Sequence, residues 1–313
     1  MSATVAGCAA TLLGATGIAL HFSRSDWRGF VVLAAVAPYL MSAATLGVVL
    51  LAIARQRIGM AIAACVVVAG VWTQAPLYIG DHSTETGPTI TVMQANLLFD
   101  GADPQAFVDT IRTHNVDLLT VNELTPKAIE ALTTAGLNAL LPHSYLSPGR
   151  TATGTGIWSR HPLSDQVEHD GYVLNQLSAT ATIPGAGPLT IHAFHPVPPI
   201  YGTATWSNEL SRLNRILQQD NPSRPSIVGG DFNATYDHTQ FRAFLSARFH
   251  DATEQSGSGN LPTYPTDKWW PAIVGLDHIL TANAHATSVQ TLETPGSDHR
   301  ALIAKIQLPA IQT

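Results

Sequence analysis

Ser226-Ile227-Val228-Gly229-Gly230-Asp231-Phe232-Asn233 is the stretch on which the reading of this chain turns. Its first half is a short apolar run of the kind that forms a buried strand. Its second half sets a carboxylate and an amide two residues apart. Residues i and i+2 of an extended chain share a face, so Asp231 and Asn233 are expected to project the same way. Gly229 and Gly230 are expected to let the backbone turn sharply and keep the approach open. An acid at a strand end is ordinarily a turn residue or a helix cap. An Asp so placed can also orient or deprotonate a water, with Asn233 on a phosphoryl oxygen, and recurrence of the pattern decides between the two.

It recurs in both directions. A strand pattern over 89–96 ends in Asn96, and one over 116–123 ends in Glu123. His195 closes a strand over 189–195, Asp277 opens one over 277–281, and Asp298-His299 precedes one over 301–307. Further strands are expected over 154–159 and 176–183. Helices are expected over 103–115, with Asp103 as cap and Pro104 at the first position, and over 126–135, 206–219 and 239–247. Strands with interspersed helices predict a layered α/β domain with mixed sheets, whose polar strand ends meet along one edge.

A Glu closing an apolar strand must be solvated, paired or bound to metal. Hard divalent cations take oxygen ligands, so Glu123 beside Asn96 suits Mg²⁺. Asp277 is expected to pair with His299, favouring its protonated form and aiming it at phosphate, while Asp298 holds the metal or its water. His278 lies on the opposite face from Asp277 and is read as packing. His192 and His195 fall on opposite faces of an unbulged strand, which makes His195 the site residue.

The first 80 residues differ in kind. Three apolar stretches, 5–22, 30–54 and 58–79, are each long enough to cross a bilayer, and none has a polar face. They form a three-helix anchor over 1–80, with a polar linker over 81–88 and the catalytic domain over 89–313. Of 16 Lys and Arg, four precede residue 80, and of 22 Asp and Glu, one does. The rest of the chain therefore carries a balance of −9, which argues against non-specific binding of a polyanion. Arg55 and Arg57 have no acid beside them, whereas Arg24 and Arg28 flank Asp26. Placing the second loop inside predicts a multi-pass membrane protein with an extracytoplasmic catalytic domain. Both cysteines, Cys8 and Cys65, lie in the anchor, which leaves the domain without a thiolate metal site or a disulfide.

Taken together, Gln-Ala-Asn96, Asn-Glu123-Leu, Ser159-Arg-His-Pro-Leu, His192-Ala-Phe-His195-Pro, Gly229-Gly-Asp231-Phe-Asn233, Leu276-Asp277-His-Ile and Gly296-Ser-Asp298-His299-Arg resemble the endonuclease/exonuclease/phosphatase superfamily, in its order, over about 89–308. That group includes pancreatic deoxyribonuclease, sphingomyelinases and inositol-phosphate phosphatases. The resemblance implies a four-layered α/β sandwich of two mixed sheets flanked by helices, and hydrolysis at phosphorus by an activated water. It implies Mg²⁺ or Mn²⁺ on Asn96 and Glu123 with help from Asp298, Asp231 and Asn233 at the nucleophile, His195 and His299 on phosphate oxygens, and Asp277 behind His299. Asp231 and His299 both stand as general base. Asn122, where the family often has Gln, is a conservative departure. The expected activity is a metal-dependent phosphoesterase acting on a phospholipid or lipid-linked envelope phosphate, with the bilayer as partner. A tethered nuclease acting on DNA or RNA is the alternative, and a catalytically inactive binding module is the alternative of another class. Trp269 and Trp270, beside Lys268, are candidates for packing or for membrane contact.

Overall fold

The computed structural model describes residues 2–81, 85–245 and 248–311. The apolar leader forms α1 (Ala3–His21), α2 (Arg28–Ala34), α3 (Ala37–Ile53) and α4 (Arg57–Gln74), the last continued by a 3-10 turn over Ala75–Leu77. Small residues let these helices approach closely: a Cβ on Gly14 would lie 2.6 Å from that of Ala44, and one on Gly47 would lie 2.5 Å from Thr11 Oγ1. Gly7 meets Leu51 and Gly17 meets Met41, so α1 and α3 run antiparallel. Two helices, Ala3–His21 and Arg57–Leu77, are long and apolar enough to cross a membrane. The expected middle span is broken instead: α2 and α3 meet at 69°. The reason lies outside the leader helices, because Val31 of α2 is buried in a core cluster of the α/β domain.

That domain follows as β1 (Thr89–Asn96), α5 (Pro104–His114), β2 (Leu118–Asn122), α6 (Pro126–Thr134), α7 (Leu137–Leu140), β3 (His143–Ser147), β4 (Thr155–Ser159), β5 (Leu163–Glu168), β6 (Leu177–Ile183), β7 (Gly187–Phe194) and α8 (Thr203–Gln219). Then come β8 (Ser226–Asp231), α9 (Thr239–Arg242), β9 (His250–Asp251), α10 (Ala252–Ser256), β10 (Asp277–Ala282), β11 (His285–Leu292) and β12 (Ala301–Gln307). The helix expected over 239–247 ends early, passing into a 3-10 turn at Ala243–Leu245; residues 246 and 247 lie outside the described residues. Among the described residues the strands form two six-stranded mixed sheets, ordered β11-β12-β1-β2-β4-β3 and β5-β6-β7-β8-β10-β9.

Strand alternation builds the layers. Ile90, Val92, Leu118, Ile191, Ile227 and Ile279 fill the space between the sheets. Met93, Leu119 and Val121 face α5 and α6 with Phe107, Ile111 and Leu132. On the far side Phe194, Val228 and Leu280 pack under Trp206 and Leu210 of α8. The result is the expected four-layered sandwich. One expectation about its glycines is corrected. Gly229 and Gly230 lie within β8 and make no turn. A Cβ on Gly229 would fall 2.1 Å from Thr120 Oγ1 of the facing sheet, and one on Gly230 2.2 Å from the Phe194 carbonyl. Close approach of neighbouring strands is what excludes a side chain there.

Candidate active site

The inner faces of the strands change character along their length. Ile90 and Val92 share their parity with Gln94 and Asn96, Leu118 with Thr120 and Asn122, and Ile191 with Ala193 and His195. Ile227 likewise leads to Asp231. β10 runs antiparallel to β8, with Asp277 paired to Asp231, so its first residue arrives where the others end. One edge of the interlayer space is therefore polar, and the sequence-predicted residues meet there.

Asp231 lies at the centre, 2% exposed. Its Oδ2 accepts from Asn96 Nδ2 at 3.1 Å and lies 3.7 Å from both His195 Nε2 and His299 Nε2. Its Oδ1 accepts from the Asn233 backbone N–H at 2.9 Å. Asn233 takes a left-handed φ of 49°, and its amide donates to the Pro196 carbonyl at 3.1 Å. Asp277 Oδ2 is 2.7 Å from His299 Nδ1, the expected pairing. His278 points to the other face, bonded to Asp251 and to the Ala234 carbonyl, as its parity requires.

The charge states follow from burial and neighbours. Burial alone would lower His299, but the Asp277 and Asp231 carboxylates and the hydrogen bond to Asp277 outweigh it and raise the imidazolium well above its usual range. Burial pushes His195 down to about 3, aided by the charge on His299, so this ring is neutral. Burial raises the Asp231 carboxyl, and His299, the Asn233 N–H and Asn96 oppose that rise.

Glu123 follows β2 with a left-handed φ of 57°, uncommon for a residue with a long side chain. Burial raises its carboxyl against a hydrogen bond from Asn96. Its buried Oε2 has no hydrogen-bond partner among the described residues, a costly arrangement for a carboxylate unless a cation completes it. Asn96 Oδ1 accepts one hydrogen bond, from Leu98 N, and Asp298 is close enough to raise Glu123 further. This oxygen-rich donor set fits a hard divalent ion. Asp231, Asp277 and His299 also place donor atoms within 4.8 Å of one another. There His299 Nδ1 is already bonded to Asp277 Oδ2.

Supporting residues escaped the sequence reading. Asn122 Oδ1 accepts from Gln94 Nε2 at 2.7 Å and from Asp231 N at 2.9 Å, and its amide donates to the Phe194 carbonyl, stitching one sheet to the other. Gln176 grips the His195 backbone at both N–H and carbonyl. Ser297 Oγ donates to the Asn96 carbonyl and accepts from His299 N. The Tyr264 ring lies 4.9 Å from that of His299. The signal for Asn122 and Gln94 was a polar side chain at an inward position of an apolar strand; for Tyr264 there was none.

A sequence profile of the endonuclease/exonuclease/phosphatase family matches residues 93–299, about two thirds of the chain. The chain belongs to this family. Endonuclease/exonuclease/phosphatase structures share its fold. The crystal structure of a humanized D. rerio TDP2 superposes with a TM-score of 0.59 at 15% identity, covering 70% of this chain and 98% of that one. An endonuclease/exonuclease/phosphatase from Beutenbergia cavernae gives 0.56 at 19% identity, covering 71% and 72%. A Bacteroides thetaiotaomicron mannosyl-6-phosphatase gives 0.54 at 15%, covering 69% and 99%. No curated protein matches the chain in sequence.

Proposed function

We propose that this protein is a membrane-anchored, divalent-metal-dependent phosphoesterase acting on a phospholipid or lipid-linked phosphate. The observation that carries the chemistry is the buried, unpartnered Glu123 Oε2 on the same strand edge as the Asp231–His299–Asp277 chain. Glu123, Asn96 and Asp298 would hold Mg²⁺ or Mn²⁺, which when bound neutralises charge on the phosphoryl group and the departing oxygen. Asp231 takes a proton from the attacking water, held in place by Asn96 and by the Asn233 N–H. A protonated His299 cannot act as base, so it donates to a phosphoryl oxygen, with Asp277 fixing its ring. Neutral His195 donates from Nε2–H, and the Asn233 amide adds a further donor. As the new P–O bond forms, the ester P–O bond breaks and the leaving oxygen takes its proton from solvent.

The lipid reading rests on the apolar helices and on the domain's balance of −9, which disfavours a nucleic-acid polyanion. A D. rerio TDP2 structure holds a single-strand DNA product, which keeps the nuclease reading as the second choice. The complete residue set speaks against an inactive module. For topology, Arg55 and Arg57 lie at the end of the helix bundle remote from the catalytic domain. By the positive-inside rule that placement supports an extracytoplasmic catalytic domain on a multi-pass membrane protein.

The test uses the detergent-purified full chain with bis-para-nitrophenyl phosphate, DNA, RNA and lipid extract, with Mg²⁺ and with EDTA. Asp231→Asn and His299→Ala are expected to lower turnover by about a hundredfold or more. Near-normal hydrolysis by either variant overturns the assignment, and Mg²⁺-dependent cleavage of DNA or RNA alone overturns the lipid reading.

A further inference from the structure

Several polar contacts between the leader helices and the domain fall in loops that begin or end at the candidate site residues. The loop after β8, which carries Asn233, offers Asp237 to His21 Nδ1 at 2.7 Å and to Gln74 Nε2 at 3.0 Å. His238 of the same loop bonds the Val31 carbonyl of α2 at 2.8 Å. The loop after β7 begins with His195 and ends at Thr203, whose hydroxyl donates to the Asp26 carbonyl. The loop before β10 is closed by a bridge between Tyr264 and Val274, and the Ile273 carbonyl accepts from Tyr39 Oη in the first turn of α3 at 2.7 Å. At its catalytic end the same loop sets Tyr264 against His299 and donates Thr266 N–H to the Asp298 carbonyl. Two walls of the cleft are thus rooted in catalytic residues and tied to the apolar helices.

Between those ties both walls expose apolar side chains: Ile200 at 56% and Tyr201 at 79% on one, Trp269 at 91% and Trp270 at 38% on the other. α2, which crosses α3 at 69°, buries Val31 in the domain and leaves Trp27 and Phe30 outside, edge-on to each other at 4.9 Å between ring centres. These six residues are exposed on segments that are bonded to the apolar helices or lie in loops so bonded. Trp and Tyr are the side chains that favour the membrane–water boundary, with an apolar body and a polar tip.

We infer that this rim is a membrane-docking surface: the outer face of α2 and the tips of the two walls sit in the interfacial layer of the leaflet that faces the catalytic domain. The cleft then opens onto that leaflet, and a phosphate head group reaches Asp231 and His299 without its lipid leaving the bilayer. The inference rests on reading the leader as membrane-spanning and deepens the phosphoesterase reading by naming the lipid surface as its partner. The attachment of both walls to helices long and apolar enough to cross a membrane selects the bilayer over a protein partner.

The test places the full chain in phosphatidylcholine–phosphatidylglycerol vesicles made with and without bromine on the acyl chains, and compares it with a Trp269→Phe/Trp270→Phe variant. The difference emission, wild type minus variant, belongs to the wall alone. It is expected to lose most of its intensity in brominated vesicles and to resist aqueous iodide. Emission quenched by iodide and untouched by bromine overturns the docking surface. Hydrolysis of soluble bis-para-nitrophenyl phosphate by the variant is expected to equal wild type, which verifies an intact site. Its absence from both proteins would defeat the phosphoesterase reading while leaving the quenching result to stand or fall separately.

Discussion

Glu123 is where this protein departs furthest from what folding alone would select. A half-buried carboxylate with one oxygen unpartnered and a left-handed backbone costs stability unless a cation completes it. Glu123→Gln removes the charge while keeping shape and backbone. In EDTA the variant is therefore expected to melt at or above the wild-type temperature. Excess Mg²⁺ should raise the wild-type melting temperature, because ligand binds only the folded state, and leave the variant unmoved. Calorimetric scans with and without Mg²⁺ decide the matter; equal upward shifts in both proteins would remove Glu123 from the metal set. Asn122 shows the complementary case. Its amide satisfies groups from three other strands, and that stitching holds Asp231 in register with Asn96.

Among the elements, β8 is the most constrained, because it carries Asp231 while passing close to the facing sheet. Gly229→Ala is expected to cost about 1–3 kcal/mol, the usual range for overpacking a rigid core. Thr120 Oγ1 is the obstacle at 2.1 Å, so adding Thr120→Ala should restore part of the loss. Denaturant titration of the four proteins of this cycle provides the check, and strictly additive effects would show that the clash is not the cause. The same logic holds in the apolar leader. Gly14→Leu forces α1 from Ala44 and is expected to abolish assembly of the helices, seen as loss of monodisperse protein in detergent.

For the molecule as a whole, the leader helices and the domain are joined by contacts that include His238. Its Nδ1 accepts from Thr235 N at 2.8 Å and its Nε2–H donates to the Val31 carbonyl at 2.8 Å. The bond accepted by Nδ1 requires that nitrogen unprotonated, and burial holds the ring's pKa below the usual value, against the Val31 and Thr235 bonds and the Asp237 charge. As pH falls below about 6.5, the unfolded chain takes up a proton that the folded chain refuses. Stability from this residue is thus complete above that pH and declines below it. Several buried carboxyls titrate with the opposite sign, so the difference between wild type and His238→Asn isolates the effect. That difference is expected to shrink from about pH 7 to about pH 5; a constant gap would mean that His238 does not titrate on unfolding.

Local patterns were enough to place β1, β8 and β12 within their observed bounds, to cap α5 with Asp103, and to mark polar residues such as Asn96, Glu123, Asp231 and Asp277 at strand ends as candidates. Those features depend on alternation, capping and charge burial, all of which act between near neighbours along the chain. Strands β3, β5, β9 and β11 escaped notice because they carry polar or half-exposed faces whose pairing comes from distant partners. The break between α2 and α3, the stitching by Asn122 and the joining of the leader helices to the domain were decided in three dimensions. Each depends on which surfaces meet across the chain: Val31 finds its apolar partners more than 160 residues away in Phe194 and Trp206, and nothing in its own stretch of sequence announces them.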